Sequence, residues 1–146
     1  MKIKMNKTYL LLSLIILASL VFTGCNSETP NSDDPNAIVR LGGDGSFTVE
    51  QCEARDFTDK VIMLESKYCS HCQQTMPEFI SACDEHNVTP IILDLSIANH
   101  GEQLESYNLE IIGTPTFIFG CEYIVGARNK ETYSKKLDNF VDSSGN

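Results

Sequence analysis

The chain has 146 residues, room for one domain behind a short targeting segment and too few for two ordinary domains. Its 42% apolar and 21% charged residues exclude collagen-like, wholly disordered and multi-span membrane classes. A net charge of −9 argues against a nucleic-acid binder, and six cysteines are many without reaching the density of a disulfide-stapled scaffold.

Lys2, Lys4 and Lys7 open the chain with positive charge, and Leu10 to Phe22 then runs apolar apart from Ser13 and Ser19. That run is well short of the roughly 20 residues a membrane span needs, and its flanks match a secretory signal peptide over residues 1–24. Val21-Phe22-Thr23-Gly24-Cys25 resembles the lipobox of bacterial lipoproteins, with Phe22 where Leu is usual. The resemblance implies cleavage before Cys25 and lipid attachment on its sulfur. Cleavage removes three lysines and no acid from 11 basic and 20 acidic residues, which leaves a net charge of −12. Anionic headgroups repel such a domain, so it should hang from its anchor. Residues 25–36, rich in Pro, Ser, Asn and acids, read as the tether.

One domain is expected over residues 37–142, with a disordered tail over 143–146. Ala37 to Leu41 reads as a first strand, and Gly42, Gly43 and Gly45 as a turn. Thr48-Val-Glu-Gln51 fits a capping box that opens a short helix. Val61 to Leu64 is a buried strand. A long helix follows from near Cys69 to about Glu85, and then a buried strand over Pro90 to Leu95. Gly101 to Tyr107 is read as helix, and Thr116 to Phe119 with Tyr123 to Val125 as a hairpin. A last helix over Lys130 to Val141 places Tyr133, Leu137, Phe140 and Val141 on one stripe. Early alternation followed by a hairpin predicts an α/β fold with a mixed sheet.

Cys69-Ser70-His71-Cys72 stands just after a buried strand and opens a helix. Unpaired N–H groups and the helix dipole favour an anion there, so the Cys69 thiol should be acidified. Cys72, one turn on, can close a disulfide with it and resolve a mixed disulfide. Metal ligation is the bland alternative, but a closed zinc site wants four ligands; here there is one CxxC, and His71, His86 and His100 are scattered. A purely structural bridge over so short a loop gains little.

The segment from 37 to 142 resembles the thioredoxin superfamily through four ordered landmarks. VIML precedes YCSHC; Pro77 follows Cys72 by five residues; Gly113-Thr114-Pro115-Thr116 matches the cis-proline segment; Val125-Gly126-Ala127 matches the glycine stretch before the final helix. The resemblance implies a thioredoxin fold, a central mixed sheet with helices on both faces. It implies a redox-active Cys69–Cys72 disulfide with Cys69 as nucleophile, and no diffusible cofactor or metal. Pro115 would be cis and would bind substrate together with Thr114, Tyr68 and Ser70.

Three departures matter. Met63 stands where thioredoxins carry a buried relay Asp, with Glu65 the nearest acid, on the same face of a period-2 strand. Tyr68 replaces the usual Trp. Ser70-His71 replaces Gly-Pro, and a His beside the resolving cysteine resembles the periplasmic disulfide oxidants. His71 would stabilise the Cys69 thiolate and so make the disulfide a better oxidant. Thr114 before the proline resembles extracytoplasmic isomerases.

With Cys25 lipidated and Cys69 paired to Cys72, three cysteines remain. Cys83 lies about 16 Å along its helix from Cys72 and reads as a core thiol. Cys52 sits on an apolar face and Cys121 in the hairpin turn. Three pairings are open, and the expectation is that no further bridge forms; the functional alternative makes Cys121 a relay or mixed-disulfide partner. His86 suits a helix C-terminus. His100, expected in a loop, could be the remote ligand of a copper carrier, although such carriers space their cysteines by three residues, not two.

Together these features predict a monomeric, lipid-anchored, extracytoplasmic thiol–disulfide oxidoreductase, oxidant or isomerase rather than reductant. Its partners would be cysteine-containing extracytoplasmic proteins and a membrane redox partner. A reductase fed by a membrane electron donor, and a copper carrier or binding module on the same fold, are the alternatives.

Overall fold

The computed structural model describes residues 34–144. The expected signal peptide, the lipidation site Cys25 and the tether up to residue 33 lie outside those residues.

The elements are β1 (Val39–Leu41), β2 (Gly45–Ser46), α1 (Val49–Ala54), β3 (Val61–Glu65), α2 (Ser70–Glu85), β4 (Ile91–Asp94), α3 (Ala98–Ser106), β5 (Leu109–Ile111), β6 (Thr116–Phe119), β7 (Glu122–Val125) and α4 (Lys130–Ser144). Five strands form one mixed sheet in the order β2-β7-β6-β3-β4. β3 is parallel to β4 and antiparallel to β6, and β6 is antiparallel to β7. A separate ribbon pairs β1 with β5 in parallel.

Both faces of the main sheet are covered, which explains why β3 reads as an unbroken apolar run. Val61 and Met63 pack with Cys72, Phe79, Phe117, Tyr133 and Leu137 on the α2 and α4 face. Ile62 and Leu64 point the other way, to Leu41, Phe47, Cys52, Phe57 and Ile118. On α2 the residues Cys72, Thr75, Phe79, Ala82 and Cys83 are buried, a single helical face.

The Thr48–Gln51 capping box is formed with both reciprocal hydrogen bonds. Several boundaries differ from expectation. α3 begins at Ala98, three residues before the predicted start, and its N-cap Ile97 makes no side-chain bond that the sequence could have signalled. His100 therefore lies in a helix, not a loop. β2 and β5 are additional strands, too short and too mixed in composition to show a period-2 pattern. α4 continues through Ser144, into the expected tail, and Val141 is exposed while Tyr133, Leu137 and Phe140 are buried. The last residues assigned to the tether, 34–36, form a turn closed by the Ala37 amide on the Asp34 carbonyl at 3.1 Å.

Candidate active site

β3 delivers the chain to Cys69, which is the N-cap of α2. The Cys72 N–H donates to Cys69 Sγ at 3.1 Å. The two residues are disulfide-bonded, with Cα atoms 5.2 Å apart. Cys69 is half-buried and Cys72 has no exposed surface. Cys72 packs among Met63, Phe79 and other apolar groups, where an ionised sulfur would be costly. One sulfur is thus placed to be attacked or to attack, and the other to resolve.

The loop before β6 closes over this pair. The Thr114–Pro115 peptide bond is cis, and the Thr114 carbonyl oxygen lies 3.4 Å from Cys69 Sγ. The loop is held by Thr116 Oγ1, which donates to the Gly113 carbonyl at 2.7 Å, and by the Gly126 amide, which donates to the Pro115 carbonyl at 2.7 Å. Gly126 has φ +93°, so the glycine stretch is needed where the backbone turns back to this loop.

The fold is that of the thioredoxin superfamily. No family model matches the sequence, and no curated protein matches it. Among solved structures the chain is similar to thioredoxin O1 from Arabidopsis thaliana in its oxidized state, at 17% identity and TM-score 0.43, covering 73% of this chain and 96% of that one. It is also similar to the Malassezia sympodialis thioredoxin Mala s 13, at 21% identity and TM-score 0.39, covering 73% and 90%. What assigns the fold is the strand order, the cysteine pair at the α2 N-terminus and the proline loop, not these likenesses.

Of the predicted site residues, Cys69, Cys72, Thr114 and Pro115 come together. Tyr68 stands out from the surface at 81% exposure, with the Lys67 ammonium 5.0 Å from its ring centroid. Ser70 and His71 are exposed on the first turn of α2. Glu65 is buried at the end of β3, beside Asp94 on the neighbouring strand. Burial and then the Asp94 charge push its carboxyl above the ordinary Glu range. His100 does not approach the pair; its Nδ1 accepts the Asp94 N–H at 2.9 Å. Among the described residues no group of three or more His, Cys, Asp or Glu is placed to hold a metal ion, and no helix is long and apolar enough to cross a membrane.

The cysteine expectation needs correcting. Cys52 and Cys121 form a disulfide, with Cα atoms 5.3 Å apart. α1 points Cys52 inward, and the β6–β7 turn carries Cys121 over it. A separation of 69 residues gave the sequence no means of pairing them. Cys83 is free and buried, and burial, with a smaller push from Asp84, raises its thiol to about 12. It is an inert core group.

A polar network behind the site was missed. Thr75, one turn past Cys72, donates from Oγ1 to the Arg128 carbonyl at 3.0 Å and lies 2.6 Å from the Tyr133 hydroxyl. That hydroxyl accepts the Arg128 N–H at 2.8 Å. The active-site helix is thereby tied to α4 and to the segment after Gly126. The available signal was Thr75, a hydroxyl on an otherwise apolar helical face, opposite a buried Tyr that requires a partner.

Proposed function

We propose that this chain is an extracytoplasmic, membrane-anchored thiol–disulfide oxidoreductase that donates or reshuffles disulfides. The observation that carries the proposal is the Cys69 sulfur at the α2 N-terminus, with the Cys72 N–H aimed at it and the Thr114 carbonyl beside it. The α2 N-terminus and the Cys72 N–H favour negative charge on Cys69 over Cys72, while the Thr114 carbonyl oxygen can accept from the Cys69 thiol but does not stabilise its thiolate. A stabilised thiolate favours the reduced form and makes the disulfide the oxidant. His71, exposed on the same turn, is assigned the remaining tuning.

In a donating cycle a client thiolate attacks Cys69 Sγ and Cys72 leaves with the bonding electron pair. The client's second thiolate then attacks its own sulfur in the mixed disulfide, and Cys69 leaves. The client gains a disulfide and loses two electrons, which reside in the reduced Cys69–Cys72 pair. Tyr68 and the Thr114–Pro115 segment are the surfaces against which an extended client would lie. Clients are cysteine-bearing extracytoplasmic proteins, and a membrane redox partner would reset the pair.

Two features support the compartment. The N-terminal 25 residues carry the signal and lipobox pattern. The Cys52–Cys121 bridge is a non-catalytic disulfide, which persists in oxidising compartments and is rare where thiols are kept reduced. C72A in the full chain tests the reading. It should accumulate client proteins linked through Cys69, released by reductant, and C69A/C72A should accumulate none. Absence of any linked species with thiol-bearing clients would remove the enzyme reading.

A further inference from the structure

The second disulfide and a buried arginine lie at the end of the domain away from Cys69. β3 runs toward Cys69 and β6 runs back from Pro115, so the β6–β7 turn with Cys121 is at the far end. β1 runs parallel to β5, whose C-terminal end leads into the Thr114 loop, so the N-terminal segment also enters at the far end. There it meets Arg55, the C-cap of α1, only 4% exposed. Arg55 donates to the Pro35 carbonyl at 2.7 Å and the Ala37 carbonyl at 2.6 Å, and to the Gln51 carbonyl at 2.9 Å. Its Nε has no partner among the described residues. A guanidinium held by three carbonyls and by the Phe47 ring, 5.8 Å from its centroid, with one donor unsatisfied, is a costly arrangement that loosens when its helix moves.

α1 has six residues, too few to hold a helix by itself. It is pinned by Cys52, one turn before Arg55, and by the Phe47 amide on the Cys121 carbonyl at 2.8 Å. The two sulfur-bearing residues are unequal. Cys52 is fully buried among Leu41, Phe47 and Phe57. Cys121 is half-buried and lines a cavity of about 290 Å³ together with Gly120, Lys136 and Phe140.

We propose that Cys52–Cys121 is a redox-operated latch on the N-terminal segment, opened by a dithiol reductant that reaches Cys121 from the cavity beside Gly120. The reductant's thiolate bonds to Cys121 Sγ, and Cys52 leaves as a thiolate and takes a proton. The reductant's second thiolate then closes its own disulfide and releases Cys121. The bridge gains two electrons and the dithiol loses two. α1 is then free to leave the β6–β7 turn, and Arg55 gives up the Pro35 and Ala37 carbonyls. The segment that joins the N-terminal residues to the domain becomes free while the main sheet stays folded.

The test is amide hydrogen exchange on full-length C69S/C72S, with and without dithiothreitol, so that the reagent acts on Cys52–Cys121. After reduction the exchange rates of the Ala37 and Val39 amides should rise about tenfold or more relative to that of Ile118 in the central sheet, which follows the global stability. A second measurement needs no reductant: R55M, in the otherwise unchanged oxidised chain, should give the same local release. Equal exchange before and after reduction, a uniform rise that includes Ile118, or an R55M protein with the segment still protected would each overturn the latch.

Discussion

The Cys72 N–H reaches Cys69 Sγ across 3.1 Å, so the buried member of the pair stabilises negative charge on the accessible one. Cys72 itself sits against Met63 and Phe79, where the thioredoxin pattern would place an acid near it. Once the bridge is reduced, Cys69 is therefore the sulfur placed to react and Cys72 the one shielded. Alkylation of the reduced protein with iodoacetamide near neutral pH should modify Cys69 at least about tenfold faster than Cys72. Peptide mass spectrometry over time reads this directly. Equal rates would mean that neither the helix end nor burial discriminates between them.

Tyr133 joins Thr75 to the Arg128 amide in the core, behind the active-site helix. Y133F removes the hydroxyl and leaves the half-buried Arg128 N–H without its acceptor. The expected loss is about 1–2 kcal/mol in urea unfolding, with the m-value unchanged. Neutral behaviour would show that the freed groups find other partners.

Much of this arrangement was legible in the sequence because local signals agreed with one another. Val61 to Leu64, the Thr48 capping box and the stripe of Tyr133, Leu137 and Phe140 each carry a period or a cap that the packing reinforces. The Cys69–Cys72 pair and the Thr114–Pro115 loop carry motif spacing. What stayed hidden depends on contacts between distant residues. Cys52 and Cys121 are adjacent only after the sheet forms, and Arg55 finds Pro35 and Ala37 only when β1 docks beside β5. β2 and β5 are too short to show a strand period. Val141 extended the apolar stripe on paper, but one further helical step carries it past the core.

The Cys52–Cys121 bridge closes a long loop, with a sequence separation of 69. Loop-closure entropy of that size implies a stabilisation of about 2–4 kcal/mol. C52A/C121A should unfold at correspondingly lower urea concentration than the oxidised parent, with Cys69–Cys72 still able to form. Unchanged stability would mean that burial around α1, not the bridge, holds the far end together.

His86 ends α2 with its ring between two acceptors, the Ala82 carbonyl at 2.8 Å from Nδ1 and Asp138 Oδ1 at 3.0 Å from Nε2. The Ala82 carbonyl, and after it Asp138, hold the imidazole above the ordinary His range. A raised folded-state pKa means that the charged ring stabilises the fold below the unfolded value of about 6.5, and the contribution fades as pH rises through the raised value. Solvent at the open Asp138 side screens part of it, so the contribution is about 0.3–1 kcal/mol. Wild type should exceed H86Q in stability at pH 6, and the gap should close by pH 8.5 in thermal melts. A gap that widens with pH would reverse the assigned protonation.

The central claim is that Cys69–Cys72 is an exchanging, oxidising disulfide. Its reduction potential tests this most directly, by equilibrating the protein in glutathione buffers and quantifying the Cys69–Cys72 peptide in each redox state. A thiolate stabilised at the α2 N-terminus, with His71 beside it, predicts a value well above the roughly −270 mV of thioredoxin, toward the −120 mV end of the scale. A value at or below about −270 mV, or a pair that does not equilibrate at all, would contradict it.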